Sequence, residues 1–218
     1  MTHRYLIGLL TCHAHRERDL LCLETWVPVA RQLGMRVVFL IGEGRFIHDP
    51  TLDGDYLRCP CPDDYRSLPQ RTRCFFRWAL TQPDWDSVLK ADNDSLVIPG
   101  RLAALDMGDA EYRGCEPGHQ WRGYGSGGGG YLLTRRAVEI VAERLNDKTG
   151  AEDQLVGRYL RRAGVKFHQD ARFVPWGSND RRPKPDNDLI TAHKIPESLW
   201  RETWEALRRQ VLLIPNAT

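Results

Sequence analysis

The chain has 218 residues, 28% of them charged, and a net charge of +2, with a mean hydropathy of −0.50. That length suits one α/β domain with a sizeable core. The near-balanced charge argues against a dedicated nucleic-acid binder, and no apolar run approaches the roughly 18 residues of a membrane span. No N-terminal segment reads as a signal peptide, so a cytoplasmic protein is expected. Arginine far outnumbers lysine, which fits either GC-rich coding or guanidinium forks that hold phosphate. The six cysteines show no paired C-x-x-C spacing, and "CPC" at 59–61 is too tight for a zinc knuckle. Reduced structural thiols are expected.

"RYLIGLL" (4–10) and "RVVFLIG" (36–42) are short, branched apolar runs and read as buried parallel strands. Between them "HRERDLLCLETW" (15–26) sets Leu20, Leu23 and Trp26 at helical spacing, with Pro28 interrupting soon after. This is the start of a βαβ unit. "DYLRC" predicts one short strand within the Gly-, Asp- and Pro-rich stretch 43–65. The spacing predicts a helix over 68–81, with Cys74, Phe75, Trp78 and Ala79 on its apolar stripe. "DSVLKAD" is the next strand and carries Asp92 and Asp94 at its carboxyl end, where open α/β sheets bind ligands. "PGRLAAL" opens a short helix on a proline. "GYGSGGGGYLLT" (123–134) is a glycine-rich loop running into a strand. "RRAVEIVAERL" and "AEDQLVGRYLRRAG" read as helices, and 174–188 as an ordered loop or lid. A final helix, "PESLWRETWEALRRQVLL", places Trp200, Trp204, Leu207 and Val211 on one face, expected to pack on the domain.

Asp92 and Asp94 are two apart, and a strand would point both the same way about 7 Å apart. Like charges that close call for a counter-charge. Hard carboxylate oxygens suit Mg²⁺ or Mn²⁺ completed by a ligand's phosphates, although a solvated acidic turn carries the same pattern. Apolar neighbours (Val88, Leu89, Leu96, Val97, Ile98) indicate embedded acids. The glycines at 127–130 allow close backbone approach to a ligand. They lack the following Lys-Ser or G-x-G-x-x-G of a nucleotide cradle, which favours a sugar or acceptor pocket. Glu152 and Asp153 begin a helix, where they serve as caps or, if they face the metal site, as a general base. His193, near the end of an apolar triplet, is either structural or a further ligand, since Mn²⁺ accepts imidazole.

"VLKADNDSLVI", "GSGGGGYLLT" and "AEDQLVGRYLRRAGV" occur in the order and rough spacing found in the β1,3-galactosyltransferase, core 1 synthase and Fringe group. "HRERDLLCLETW" is similar to that group's first helix, and "DDYRSLPQRT" resembles its D-x-Y-x-x-L-x-x-K-T stretch, with Arg71 for the Lys. The resemblance covers nearly the whole chain. It implies a single-domain A-type (Rossmann-like) glycosyltransferase fold, with a mostly parallel sheet flanked by helices. Residues 1–100 would form the nucleotide-binding half and 101–218 the acceptor half. It also implies a UDP-sugar donor and Mn²⁺ or Mg²⁺. By position, Asp94 and His193 would be the metal ligands. Asp92 and Asn93 would contact the donor's sugar and ribose, with Lys90, Arg71 and Thr11 also on the donor side. Asp153 would be the base for inverting in-line attack. Gly128, Gly129, Glu152 and Trp176 would shape the sugar or acceptor pocket.

Several features depart from the group. Asn93 stands where an Asp is frequent, and Leu23 and Glu24 stand where relatives carry an Arg before the Thr-Trp pair, so that Arg16 or Arg18 would supply a phosphate contact. The membrane anchor, stem and paired cysteines of Golgi relatives have no counterpart here, which implies a microbial or viral enzyme. The acceptor is open: a glycan, a protein hydroxyl, a small molecule or a modified nucleobase. Arginines clustered beside the glycine-rich loop would point to a phosphate-rich acceptor, and scattered ones would not. Two rival readings are a haloacid-dehalogenase-type phosphatase, with Asp92 as nucleophile and Asp94 as acid/base, and a non-catalytic nucleotide-sugar binder.

Overall fold

Alternation of period two in Tyr5–Leu10 (β1) turns Tyr5, Ile7 and Leu9 to one face of a sheet and Leu6 and Leu10 to the other. Both faces are buried, which is why the run reads as continuously apolar. The computed structural model describes residues 3–44, 47–118, 122–145, 150–175 and 188–211. After β1 come α1 (Arg16–Glu24), α2 (Trp26–Gln32), β2 (Arg36–Gly42), β3 (Thr51–Asp53), β4 (Tyr56–Cys59), α3 (Leu68–Leu80), β5 (Ser87–Asp92), β6 (Ser95–Val97) and α4 (Pro99–Ala103). The rest are β7 (Tyr112–Gly114), β8 (Tyr131–Thr134), α5 (Arg135–Arg144), α6 (Glu152–Arg162), β9 (Phe167–Gln169), β10 (Phe173–Val174), β11 (Thr191–His193) and α7 (Glu197–Val211).

Among the described residues, eight strands form one sheet in the order β3-β4-β2-β1-β5-β8-β7-β9, and β10-β11-β6 form a second, smaller one. The centre of the large sheet is parallel: β4, β2, β1 and β5 run together. β3 and β8 pair antiparallel with their neighbours β4 and β5. One core joins Trp26, Phe39, Leu89 and Trp200, and the other joins Phe75, Val88, Leu133 and Leu160. Gly8 is needed between them, because a Cβ there would lie 2.4 Å from the Phe75 ring.

Four sequence expectations need correction. The first helix is broken at Thr25, and its buried residues are Asp19, Leu21 and Cys22, whereas Leu20 is 57% exposed. Pro28 does not interrupt a helix. It sits in the first turn of α2, where its missing N–H would have had no intrahelical acceptor. On α3, Phe76 is buried and Trp78 only half-buried, with the Arg36 guanidinium 4.8 Å from its ring centroid. Finally β3, β6, β7 and β9–β11 were not anticipated, because two or three residues carry no readable period.

The last helix packs as expected. Trp200, Trp204 and Leu207 are buried, and Trp200 Nε1 donates to Thr25 Oγ1 at 3.1 Å; the Val211 side chain lies outside the described residues. All six cysteines are free, with Cys22, Cys59, Cys61 and Cys74 buried. Among the described residues no helix is long and apolar enough to cross a membrane.

Candidate active site

β1 and β5 are parallel neighbours with Leu10 in register with Asp92, so Thr11 and Asp92 both stand at carboxyl ends of strands. Asp94 is not on that strand: Asn93 and Asp94 make the turn between β5 and β6. β6 pairs with β11, with Ser95 opposite His193. The turn and this register together bring His193 Nε2 to 3.1 Å from Asp94 Oδ1. Asp92, Asp94 and His193 offer ligand atoms that all lie within 4.8 Å of one another.

This triad suits a divalent cation. His193 Nδ1 lies 2.7 Å from the Pro175 carbonyl oxygen, which can only accept, so Nδ1 carries a proton. In the neutral ring Nε2 then presents its lone pair to the acids. Asp94 Oδ1 is buried without a hydrogen bond, its contact with Nε2 being close but not so directed. A buried carboxylate oxygen with only this ill-directed imidazole contact is well placed to take a cation. Two carboxylates and an imidazole form a donor set fitted to Mn²⁺ or Mg²⁺. Burial pushes the Asp94 carboxyl up, but His193 outweighs it and holds the carboxyl below its usual range. Burial in turn works to lower His193, and Asp94 with Asp92 lifts it above the usual range.

A second polar cluster supports the first. Lys90, 1% exposed, sends its ammonium to Asp92 Oδ1 at 3.1 Å, Glu152 Oε2 at 3.0 Å and the Gly127 carbonyl at 3.2 Å. Glu152 also accepts from the Tyr131 hydroxyl. Burial opposes charge on Lys90, but Asp92 and Glu152 overcome it and raise its pKa. Burial pushes Glu152 up, with Lys90 opposing. Lys90 is thus a buried clamp on the acids, and Glu152 does not reach an open surface.

The glycine run threads between the two clusters. Gly127 N donates to Asp153 Oδ2 at 3.0 Å, and the Gln154 N–H meets Asp153 Oδ1 at 2.8 Å. A Cβ on Gly128 would lie 2.1 Å from the His193 ring, and one on Gly129 2.7 Å from Pro175 Cα. The glycines therefore let backbone pass against the His193 ring on one side and Asp153 on the other. Ser95 Oγ and Thr191 Oγ1 fix the loop through the carbonyls of Gly128 and Gly129.

A cleft of about 310 Å³ opens beside the triad, lined by Thr11, Arg18, Tyr65, Arg71, Asn93 and Asp94 among others, and drawing only on residues between 10 and 94. A larger cleft of about 1080 Å³, lined by His48, Arg77 and Trp78, contains none of the convergent acids.

No protein-family profile matches the chain. Over 115 residues, 45% of this chain, it is 29% identical to beta-1,3-galactosyltransferase 7 of Arabidopsis thaliana, and it spans 29% of that relative's length. A glycosyltransferase involved in the glycosylation of the major capsid of PBCV-1 superposes with a TM-score of 0.60 at 14% identity, over 94% of this chain and 99% of the other. A Drosophila beta-1,4-galactosyltransferase 7, whose structure is a complex with manganese, UDP-Gal and xylobiose, superposes with a TM-score of 0.52 at 13% identity, over 90% of this chain and 72% of the other. The chain has the A-type glycosyltransferase fold.

Within this glycosyltransferase fold, the donor-side residues named from the sequence divide into those open to a ligand and those that build the wall. Asp94, Thr11 and Arg71 line the cleft. Arg71 is 2% exposed and donates to the Thr11 carbonyl, to Asp63 Oδ1 at 3.2 Å and to the Asp64 carbonyl at 2.5 Å, so it ties the cleft together. The Asn93 amide donates to Thr11 Oγ1 at 3.0 Å, the His15 carbonyl at 3.1 Å and Asp19 Oδ1 at 2.8 Å. Its NH₂ therefore holds the turn. Of the two candidate phosphate contacts, Arg18 lines the cleft and pairs with Glu197 at 2.9 Å, while Arg16 stacks on Tyr56 at 4.5 Å. Trp176 and most of the 174–188 stretch lie outside the described residues.

Sequence reasoning missed Asp19. It is fully buried and accepts from Thr11 Oγ1 at 3.0 Å, Asn93 Nδ2 at 2.8 Å and the Tyr56 hydroxyl at 3.2 Å, joining α1 to the ends of β1 and β5. Burial raises its pKa against those hydrogen bonds. The available signal was a carboxylate in phase with Cys22 and Trp26 (i, i+3, i+7) on the buried stripe. Asp19→Ala strands the Asn93 amide and the Thr11 hydroxyl. It is expected to cost about 1–3 kcal/mol in urea unfolding as the turn loosens. Asp19→Asn is expected to recover part of the loss.

Proposed function

We propose that this protein is a metal-dependent, inverting glycosyltransferase that moves a sugar from a UDP-sugar to an acceptor hydroxyl. The observation that carries the reading is the convergence of Asp92, Asp94 and His193 beside a cleft at the carboxyl ends of β1 and β5. The manganese and UDP-Gal complex of the similar fly protein supports it.

Asp94 and His193 would hold a divalent cation, which would supply Lewis-acid neutralisation of the charge on departing UDP. The chain's own residues do the rest. Asp92, fixed by Lys90, orients the donor's sugar, and Thr11 and Arg71 shape the nucleotide cleft. Asp153, oriented by the Gly127 N–H, takes the proton from the acceptor hydroxyl as its oxygen bonds to the anomeric carbon and the bond to UDP breaks. One displacement inverts the configuration at that carbon. Gly127 and Gly128 let donor and acceptor sides meet without side chains between them.

The phosphatase reading is not favoured. Its D-x-D follows a first strand, whereas here the motif ends the fifth strand of the chain.

The test is UDP release from a panel of UDP-sugars. Slow metal-dependent turnover, suppressed by EDTA and accelerated by a hydroxyl acceptor, is expected. Release of phosphate from a phosphomonoester, with no UDP release under any condition, would contradict the proposal.

A further inference from the structure

Three arginines without an assigned role, Arg122, Arg158 and Arg161, line a second cavity of about 200 Å³ together with Gly123, Tyr124, Gln154 and Gly157. Arg158 and Arg161 are exposed on α6, as is Arg122 just before the glycine-rich loop. Some other arginines are neutralised by an aspartate, as Arg4, Arg31, Arg58 and Arg172 are, and others stand singly on the surface; these three share one cavity. Among the described residues these three meet no carboxylate within ion-pair distance. Glu116, which approaches the same loop, accepts from the Gly123 N–H at 2.6 Å.

The wall of this cavity is built. A Cβ on Gly157 would lie 2.3 Å from Tyr124 Cβ, so glycine at 157 seats Tyr124 directly against α6. Gln154, Gly157, Arg158 and Arg161 form one stripe (i, i+3, i+4, i+7), and that stripe begins next to Asp153. With a 1.5 Å rise per residue, Arg158 and Arg161 lie about 7.5 and about 12 Å along the axis from Asp153. That is about one and a half to about two turns of the helix from Asp153. Three unpaired guanidiniums around a phosphate-sized space are a recognition device for an oxyanion. The net charge of +2 favours a single anionic group over a long polyanion.

We infer that this cavity is an acceptor subsite for an acidic group, a phosphate or a carboxylate, carried a short distance from the hydroxyl that is glycosylated. The inference rests on the transferase reading for its acceptor role; anion binding itself stands on the arginines and the cavity.

The test is an NMR titration of the full chain in EDTA, following the Gly123, Tyr124 and Gly157 amides. The ligands are glucose 6-phosphate, glucuronate and glucose. Either anion, but not glucose, is expected to shift these amides, and which of the two does so identifies the acidic group. Arg158→Ala/Arg161→Ala is expected to bind that anion about tenfold more weakly, while the charge-matched Arg77→Ala/Arg144→Ala keeps wild-type affinity. Equal binding of glucose, or an equal loss in both double variants, would overturn the subsite. Calorimetry with UDP and Mn²⁺ on the same proteins separates the two readings. UDP binding unchanged in Arg158→Ala/Arg161→Ala supports a site distinct from the donor cleft. Absence of UDP binding in the wild type would overturn the acceptor role, whatever the anion does.

Discussion

Asp153→Asn is expected to reduce sugar transfer by about 10²- to 10⁴-fold, the usual contribution of a positioned base, while UDP and metal binding stay near wild type. The substitution is close to isosteric. The amide oxygen still accepts the Gly127 N–H now bound at 3.0 Å, so the loop keeps its course. The cleft proposed for the donor draws on residues 10–94 and does not include position 153. The variant therefore removes proton acceptance at the cost of the one bond from the Gln154 N–H at the start of α6, 2.8 Å in the native protein. Glu152 is a poor substitute base, because its carboxylate is enclosed by Lys90 and Tyr131. Near wild-type turnover in single-turnover assays would show that another group takes the proton.

Lys90→Met is expected to destabilise the fold by about 3–5 kcal/mol in urea unfolding, as when one partner of a buried ion pair is removed. Methionine matches the stem in volume but leaves Glu152 buried with no cation, and Asp92 without its anchor. Glu152 has a usual pKa of 4.5, and burial already pushes it up against the opposition of Lys90. Without Lys90 the folded value rises further above the unfolded one. The folded variant then binds the extra proton, so its stability is greatest below about 4.5 and is lost as pH rises through the folded pKa. Lys90→Met should accordingly be more impaired at pH 8 than at pH 5. Lys90→Met/Glu152→Gln should recover much of the loss, because the uncompensated charge is gone. A destabilisation that is small and independent of pH would mean that Glu152 is already neutral in the native protein.

How far the sequence was legible follows from the physics of each element. Tyr5–Leu10, Arg36–Gly42 and Ser87–Asp92 lie at the middle of the sheet and are buried on both faces, so uninterrupted apolar runs mark them. The helices Leu68–Leu80, Arg135–Arg144 and Glu152–Arg162 are amphipathic and long enough to show their period. The strands that complete the site are not legible in this way. Phe173–Val174, Thr191–His193 and Ser95–Val97 are two or three residues long and are defined only by pairing across the chain. Residue types named Asp94 and His193 as candidates, but their 3.1 Å contact depends on the His193–Ser95 register. The two acids also meet differently from the strand-face expectation, because Asp94 has left the strand for a turn. Asp19 hid among surface charges in "HRERD", and only its phase with the buried Cys22 and Trp26 sets it apart from them. The arginine cluster needed the fold to bring residue 122 beside the outer stripe of α6.

The measurement that tests the central claim most directly is calorimetric titration of UDP into the wild-type protein and Asp94→Ala, each with Mn²⁺ and then with EDTA. Metal-dependent binding is expected in the wild type, lost in EDTA and lost in Asp94→Ala, with the fold of the variant verified by its unfolding curve. UDP binding that is equally strong with and without metal, or that survives Asp94→Ala intact, would contradict the assignment of Asp92, Asp94 and His193 as a metal-dependent donor site.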